Sequence, residues 1–146
     1  MTVRRSAIDA RLRRLENVVR RLKRYRARGA DRIRDDEDLQ WLVERGLHLG
    51  CEIVLDVGNH VLVGAFGRSS ETYEDILTGL AAEGVIDAAL RSDLFGLGGF
   101  RNVLVHGYLD IDLDRVLAAL DTAPERFGRF GRAVHEWLLL HPDPAG

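Results

Sequence analysis

The chain is short of several things, and each shortage removes a class of function. Cys51 is its only cysteine, so neither an internal disulfide nor a cysteine-based metal cluster can form. No run of 18 or more apolar residues occurs, so no membrane span is expected. The opening MTVRRSAIDARLRRLE has charges but no apolar stretch behind them, so it does not read as a secretory leader, and the cytoplasm is the expected location. Prolines number three, and no proline- or serine-rich linker divides the sequence, so residues 1–146 are expected to form one domain. Lysine is nearly absent too: Lys23 is the only one, and the other twenty basic residues are arginines.

The remaining charge is unevenly placed. Net charge is −2, yet residues 1–34 carry thirteen basic and three acidic groups, and the rest of the chain carries eight and twenty. A basic start on an acidic body suits contact with nucleic acid or pairing between oppositely charged surfaces.

Apolar periodicity is helical throughout. Ile8, Leu12, Leu15, Val19 and Leu22 step by fours and threes, giving a first amphipathic helix that Gly29 stops. The arginines beside that seam admit two readings, a solvated face or a surface that tracks phosphates. Asp35 to Asp38 form an acidic start for one long helix reaching about Ala65. Its apolar positions, Leu39, Leu42, Val43, Leu47, Cys51, Val54, Leu55 and Leu62 among them, cover much of the circumference, as in a central helix packed on several sides. Gly46, Gly50 and Gly58 cost propensity there but permit close helix approach. Thr72 and Asp75 have capping-box spacing for a short helix that Gly84 closes. Asp87 opens a fourth helix through AALRSDLFGLGGFRNVLV, with Gly107 as its left-handed stop. Asp112 caps a further helix, LDRVLAALD, and Thr122, Pro124 and Glu125 read as a fresh start for the last one. The expected fold class is all-α, an up-and-down bundle of five to six helices.

Within this apolar pattern GFRNVLVHGYLDID is anomalous. Arg101, Asn102, His106 and Tyr108 place four polar groups in eight residues. Two helical turns put Tyr108 about 20° from Arg101, while His106 sits about 140° away unless Gly107 re-aims it. A helix C-terminus favours a cationic imidazole, suited to general acid work near neutral pH. Arg101 offers a planar fork to a phosphate, and Asn102 can orient the histidine or hold a phosphate oxygen. Such a set is enough to cleave RNA without a metal: the 2′-OH attacks the adjacent phosphate while protons move and a cation stabilises the phosphoryl oxygens. The alternative is a buried polar network that ties helices together. Arg-x4-His spacing is weak by itself, since chance supplies roughly one such pair in this composition.

His48, Glu52, Asp56 and His60 step by four along the long helix. They read as a metal stripe or as a polar strip of i,i+4 pairs; the third reading, for Asp56 and His60 alone, is that they line a cleft and support Arg101 or His106. His135 and His141 read as surface or helix-end residues, and Trp41 and Trp137 as core or interface anchors.

RNVLVHGY resembles the Arg-x4-His-x-Tyr signature of HepT-like toxins in the HEPN superfamily. ETYEDILTGLAAEGVID and DVGNHVL are similar to that family as well, so the likeness covers roughly residues 45–140. The resemblance implies a HEPN-like helical bundle that pairs into a homodimer with two sites facing a shared cleft. The implied activity is that of a metal-independent endoribonuclease toxin of a type VII-like toxin–antitoxin pair, acting on RNA without a cofactor. Arg101 and His106 would be the catalytic pair and Asn102 the polar residue beside it. Tyr108 would be the tyrosine that an MntA-like nucleotidyltransferase antitoxin modifies with AMP. The alternative within the same family is a non-catalytic HEPN module that binds a nucleotidyltransferase partner or a nucleotide.

Overall fold

The computed structural model describes residues 4–106 and 111–142. Among them are six helices and no strand: α1 (Arg5–Ala27), α2 (Ala30–Arg34), α3 (Glu37–Phe66), α4 (Tyr73–Ala82), α5 (Ala88–His106) and α6 (Leu113–Leu140). The expected all-α architecture is thus observed, with two differences in how it is divided.

The first difference is α2, one turn of helix that the apolar pattern is too brief to announce. It follows Gly29, whose φ of +93° lets the chain turn after α1. The second is at Pro124. The expected restart does not occur, and α6 runs without a break through the proline. Proline has no N–H and its ring crowds the carbonyl one turn back, so an interior site is costly. Arg26 of α1 fastens this stretch, donating to the Asp121 carbonyl at 3.0 Å and to both carboxylate oxygens of Glu125 at 2.6 and 2.8 Å. The Glu125 carboxylate that looked like a capping-box partner is therefore held by α1.

Caps elsewhere follow the side chains. Asp36 accepts from the N–H groups of Asp38 and Leu39, Thr72 from Asp75, Asp87 from Leu90, and Asp112 from Asp114. Each satisfies N–H donors that a helix start leaves unpaired. The proposed stop at Gly107 lies outside the described residues.

α3 is the axis of the molecule and touches all five other helices. By length and composition it could cross a membrane, but here it is the core helix, with Val43, Leu47, Cys51, Val54, Val57, Val61 and Leu62 fully buried. Its glycines make this possible. A Cβ on Gly46 would meet Leu22, one on Gly50 the Phe127 ring, and one on Gly58 the side chain of Ile76. Three helices thereby seat against α3 at backbone distance. α1 runs antiparallel to α3 and to α6, pinned at one end where the Arg5 guanidinium reaches the Leu138 carbonyl and at the other by Arg26. One strip of α3 remains uncovered by these neighbours, and it carries the polar residues.

Candidate active site

The uncovered strip of α3 presents His48, Glu52, Asp56 and His60 on successive turns, each one-third to one-half exposed at the side chain. Two ion-pair groups divide it. Glu52 accepts from Arg101 Nε at 2.6 Å, and His48 Nε2 lies 3.5 Å from the same carboxylate oxygen. One turn on, Asp56 pairs with Arg11 of α1 and lies 3.5 Å from His60 Nε2. Among the described residues no three ligating side chains converge as a metal site. The four-residue stripe is a row of separate pairs, each tying α3 to a different helix.

Arg101 is brought to Glu52 by the seating of α5. A Cβ on Gly98, one turn before Arg101, would lie 2.9 Å from Tyr73 Cδ1 and 2.6 Å from Glu74 Oε1. Glycine there lets α5 sink onto α4, which justifies a residue that is otherwise poor for a helix. The last turns of α5 then lie over Glu52. Arg101 keeps 24% of its side chain exposed, so its pair with Glu52 is reachable by water and by a ligand. Asn102, the next residue, is exposed.

Behind Arg101 the packing is apolar. Cys51 is fully buried, and burial pushes its thiol up to about 12, with the nearby Arg101 charge pulling the other way. The buried Tyr73 hydroxyl has no hydrogen-bond partner among the described residues and is raised for the same reason. Burial thus disfavours ionisation of both groups near neutral pH, and the face of Arg101 open to a ligand is its solvent side.

The bond geometry determines what Arg101 can do. Glu52 engages Nε, and among the described residues Arg101 has no other hydrogen-bond partner. A guanidinium held by Nε keeps its two terminal nitrogens for a second, bidentate acceptor such as a phosphate.

The other expected site residues are placed as follows. His106 is the final residue of α5, five positions after Arg101, and its side chain is not among the described atoms. Tyr108 lies outside the described residues. Asp56 and His60 occupy the same face of α3 as Glu52, and their contacts run to Arg11 and to each other. Glu52 is the acid that touches Arg101. The i,i+4 spacing brought it into view, but only the tertiary pairing across 49 residues singles it out from its neighbours. Trp137 is buried against Phe66 and stacks on His141, while Trp41 stands 76% exposed. His135 is exposed and His141 caps the end of α6.

Comparison with known proteins bears on the family and the fold. A family described as Ribonuclease HepT-like matches residues 15–134. The chain is 25% identical over 132 residues to the tRNA nuclease HepT of Aphanizomenon flos-aquae, covering 90% of each chain. It is 27% identical over 116 residues to the mRNA nuclease HepT of Shewanella oneidensis, covering 80% of this chain and 86% of that one. Among solved structures, a cytosolic protein of unknown function, YutE of Bacillus subtilis, superposes with a TM-score of 0.82 at 26% identity, covering 100% of this chain and 99% of that one. The tri-AMPylated HEPN toxin of Shewanella oneidensis, in complex with an MNT antitoxin, superposes with a TM-score of 0.79 at 24% identity, covering 88% of this chain and 96% of that one.

Proposed function

This chain belongs to the ribonuclease HepT-like family of HEPN proteins, and on that premise we propose that it is the endoribonuclease toxin of a toxin–antitoxin pair. The observation that carries the proposal is Arg101, held through Nε by Glu52 on the exposed strip of α3, with the family's histidine position five residues later at the end of the same helix.

The reaction is a metal-independent transesterification. The substrate phosphate docks on the two terminal nitrogens of Arg101, and Asn102 takes a further polar contact. The ribose 2′-oxygen forms a bond to phosphorus as the bond from phosphorus to the 5′-oxygen breaks. The 2′-OH proton passes to solvent, and the His106 imidazolium gives a proton to the departing 5′-oxygen. The products are a 2′,3′-cyclic phosphate and a free 5′-OH. Arg101 stabilises the charge that builds on the phosphoryl oxygens, which a preorganised cation does without reorganising water. Asp56 and His60 line the cleft beside this centre.

Control is exerted at Tyr108. A nucleotidyltransferase antitoxin of the MntA type transfers AMP from ATP to the tyrosine hydroxyl, releasing pyrophosphate. The added phosphate repels the RNA backbone and the nucleoside fills the cleft. The Shewanella oneidensis toxin, AMPylated and bound to an MNT antitoxin, supports this partner.

Two protomers pair across the α3 strip. Trp41 and Val63 project on the face of α3 that carries Glu52, at either end of the polar row, and both are exposed. Apolar groups framing a polar centre suit a self-associating surface. Cellular RNA as substrate implies a cytoplasmic protein.

Purified protein should cleave RNA in the presence of a chelator. Arg101→Ala and His106→Ala should each lower the rate by about 10²–10⁴. If both variants cleave like the parent, the chain is instead a non-catalytic HEPN module that binds its nucleotidyltransferase or a nucleotide.

A further inference from the structure

The arginines of α1 and its C-cap differ in what they touch. Arg11 and Arg26 are neutralised by Asp56 and Glu125 on neighbouring helices, Arg5 reaches the Leu138 carbonyl, Arg20 lies 4.0 Å from Glu16, and Arg13 is exposed. Arg14, Arg21, Arg24 and Arg28 are exposed and make no ion pair among the described residues. At 100° per residue these four and Asn17 fall within about 80° of one another. They form one stripe.

The stripe is ordered without being neutralised. Asn17 Oδ1 accepts from Arg14 Nη1 at 3.4 Å and from Arg21 Nε at 3.1 Å. An aspartate or glutamate could hold the same arginines but would cancel their charge, whereas the amide leaves both cations available. Beside it, Asn17, Arg20, Arg21, Lys23, Arg24 and Ala27 line a shallow hollow of about 510 Å³.

The position of the stripe relates it to the site. Arg11 pairs with Asp56, and Leu22 fills the space a Gly46 side chain would take. These two contacts fix an antiparallel register in which Arg14 lies level with Glu52, the residue that holds Arg101. Arg11 and Leu22 mark the side of α1 facing α3, and Arg26 the side facing α6. The stripe begins about 60° beyond Arg11, away from Arg26. It therefore borders the exposed strip of α3 and leads away from it, spanning about 21 Å from Arg14 to Arg28 at 1.5 Å per residue.

We propose that the Arg14–Asn17–Arg21 ladder, continued by Arg24 and Arg28, is a phosphate track that binds single-stranded RNA flanking the bond to be cut. This inference rests on the ribonuclease reading above, and it extends that reading from the reacting phosphate to the strand beyond it. A row of uncompensated guanidinia fits a polyanion with regularly spaced charges, and arginine suits phosphate oxygens through its paired donors. On a body whose remaining residues carry excess negative charge, the track confines RNA to the one surface adjoining Arg101.

The test is the salt dependence of binding, measured by anisotropy with a labelled oligoribonucleotide on full-length protein in a His106→Ala background, so that the RNA stays intact. Arg14→Gln with Arg21→Gln should lower the slope of log affinity against log salt by roughly 1.4, about 0.7 for each single-strand phosphate that is no longer neutralised. Arg115→Gln with Arg132→Gln removes the same charge from exposed positions on α6 and should leave the slope at the parent value. An unchanged slope for the ladder pair, or an equal fall for both pairs, overturns the track. Loss of nucleotidyltransferase binding by the ladder pair with RNA binding intact also overturns it, and makes the stripe a protein-docking surface. Cleavage by Arg101→Ala at the parental rate would instead refute the ribonuclease reading, a result that the binding slopes do not depend on.

Discussion

Glu52 and Arg101 are joined by a 2.6 Å hydrogen bond between helices 49 residues apart in sequence, and the carboxylate takes the one guanidinium nitrogen that a bidentate phosphate does not need. On the proposed reading, Glu52 aims Arg101 and does not compete with the substrate. Glu52→Ala should lower kcat on the order of tenfold while KM moves less, because misaligned catalytic geometry costs rate more than binding. Glu52→Gln keeps an oxygen that accepts from Nε and should recover most of the loss. Single-turnover and steady-state cleavage of one defined RNA measure both, and equal rates for all three proteins would remove the aiming role.

Tyr108 is expected to be the modified residue. Incubation with the partner nucleotidyltransferase, Mg²⁺ and ATP should add AMP units to the Tyr108 peptide by mass spectrometry and stop RNA cleavage. Tyr108→Phe has no hydroxyl to accept AMP, so it should stay unmodified and continue cutting in the presence of the antitoxin. Modification of a different residue in that variant would move the switch elsewhere.

Trp41 stands 76% exposed on the same strip as Glu52, where a monomer gains little from so large an apolar side chain. Trp41→Ser should shift a dimer toward monomer in sedimentation velocity and leave the helical circular dichroism of each protomer intact. A parent protein that sediments as a monomer at tens of micromolar would rule out this face as the dimer contact.

The Arg26–Glu125 pair should appear in acid stability. Its hydrogen bond with Arg26 holds the Glu125 carboxyl below its ordinary 4.5, with the adjacent Arg26 and Lys23 charges adding to the effect. A folded pKa lower than the unfolded one contributes stability above the unfolded value, and the contribution disappears as pH falls through the folded value. Thermal melts of Glu125→Gln against parent should differ at pH 7 by about 1 kcal/mol, or roughly 3 °C, since both side chains are partly exposed. The difference should shrink steadily below pH 4.5. A gap that persists at pH 3 would place the effect in packing.

The parts of this fold that could be read from the sequence are those decided within one or two turns. The acidic start at Asp36 and the broad apolar coverage of α3 are local patterns, and they locate that helix to within about a residue at its far end. Gly46, Gly50 and Gly58 implied close approach, and each does admit a neighbouring side chain. The reading broke down where a distant residue intervened. Thr122, Pro124 and Glu125 form a sound local helix start, yet α6 runs on through them, and the Glu125 carboxylate is held by Arg26, 99 residues away. The site divides the same way. Arg101 and Asn102 could be marked by their residue types and spacing, whereas Glu52 was one of four similar steps along a helix until Arg101 selected it.

Fastening α1 to α6 at both extremities, by Arg5 on Leu138 and Arg26 on Glu125, has a mechanical consequence. A rod pinned twice can neither slide nor roll against its support. On the proposed reading, an arginine stripe held in this way keeps a constant offset from Arg101, because α1 and α5 both pack on α3, and RNA gripped there would be cut at a constant distance from the gripped stretch.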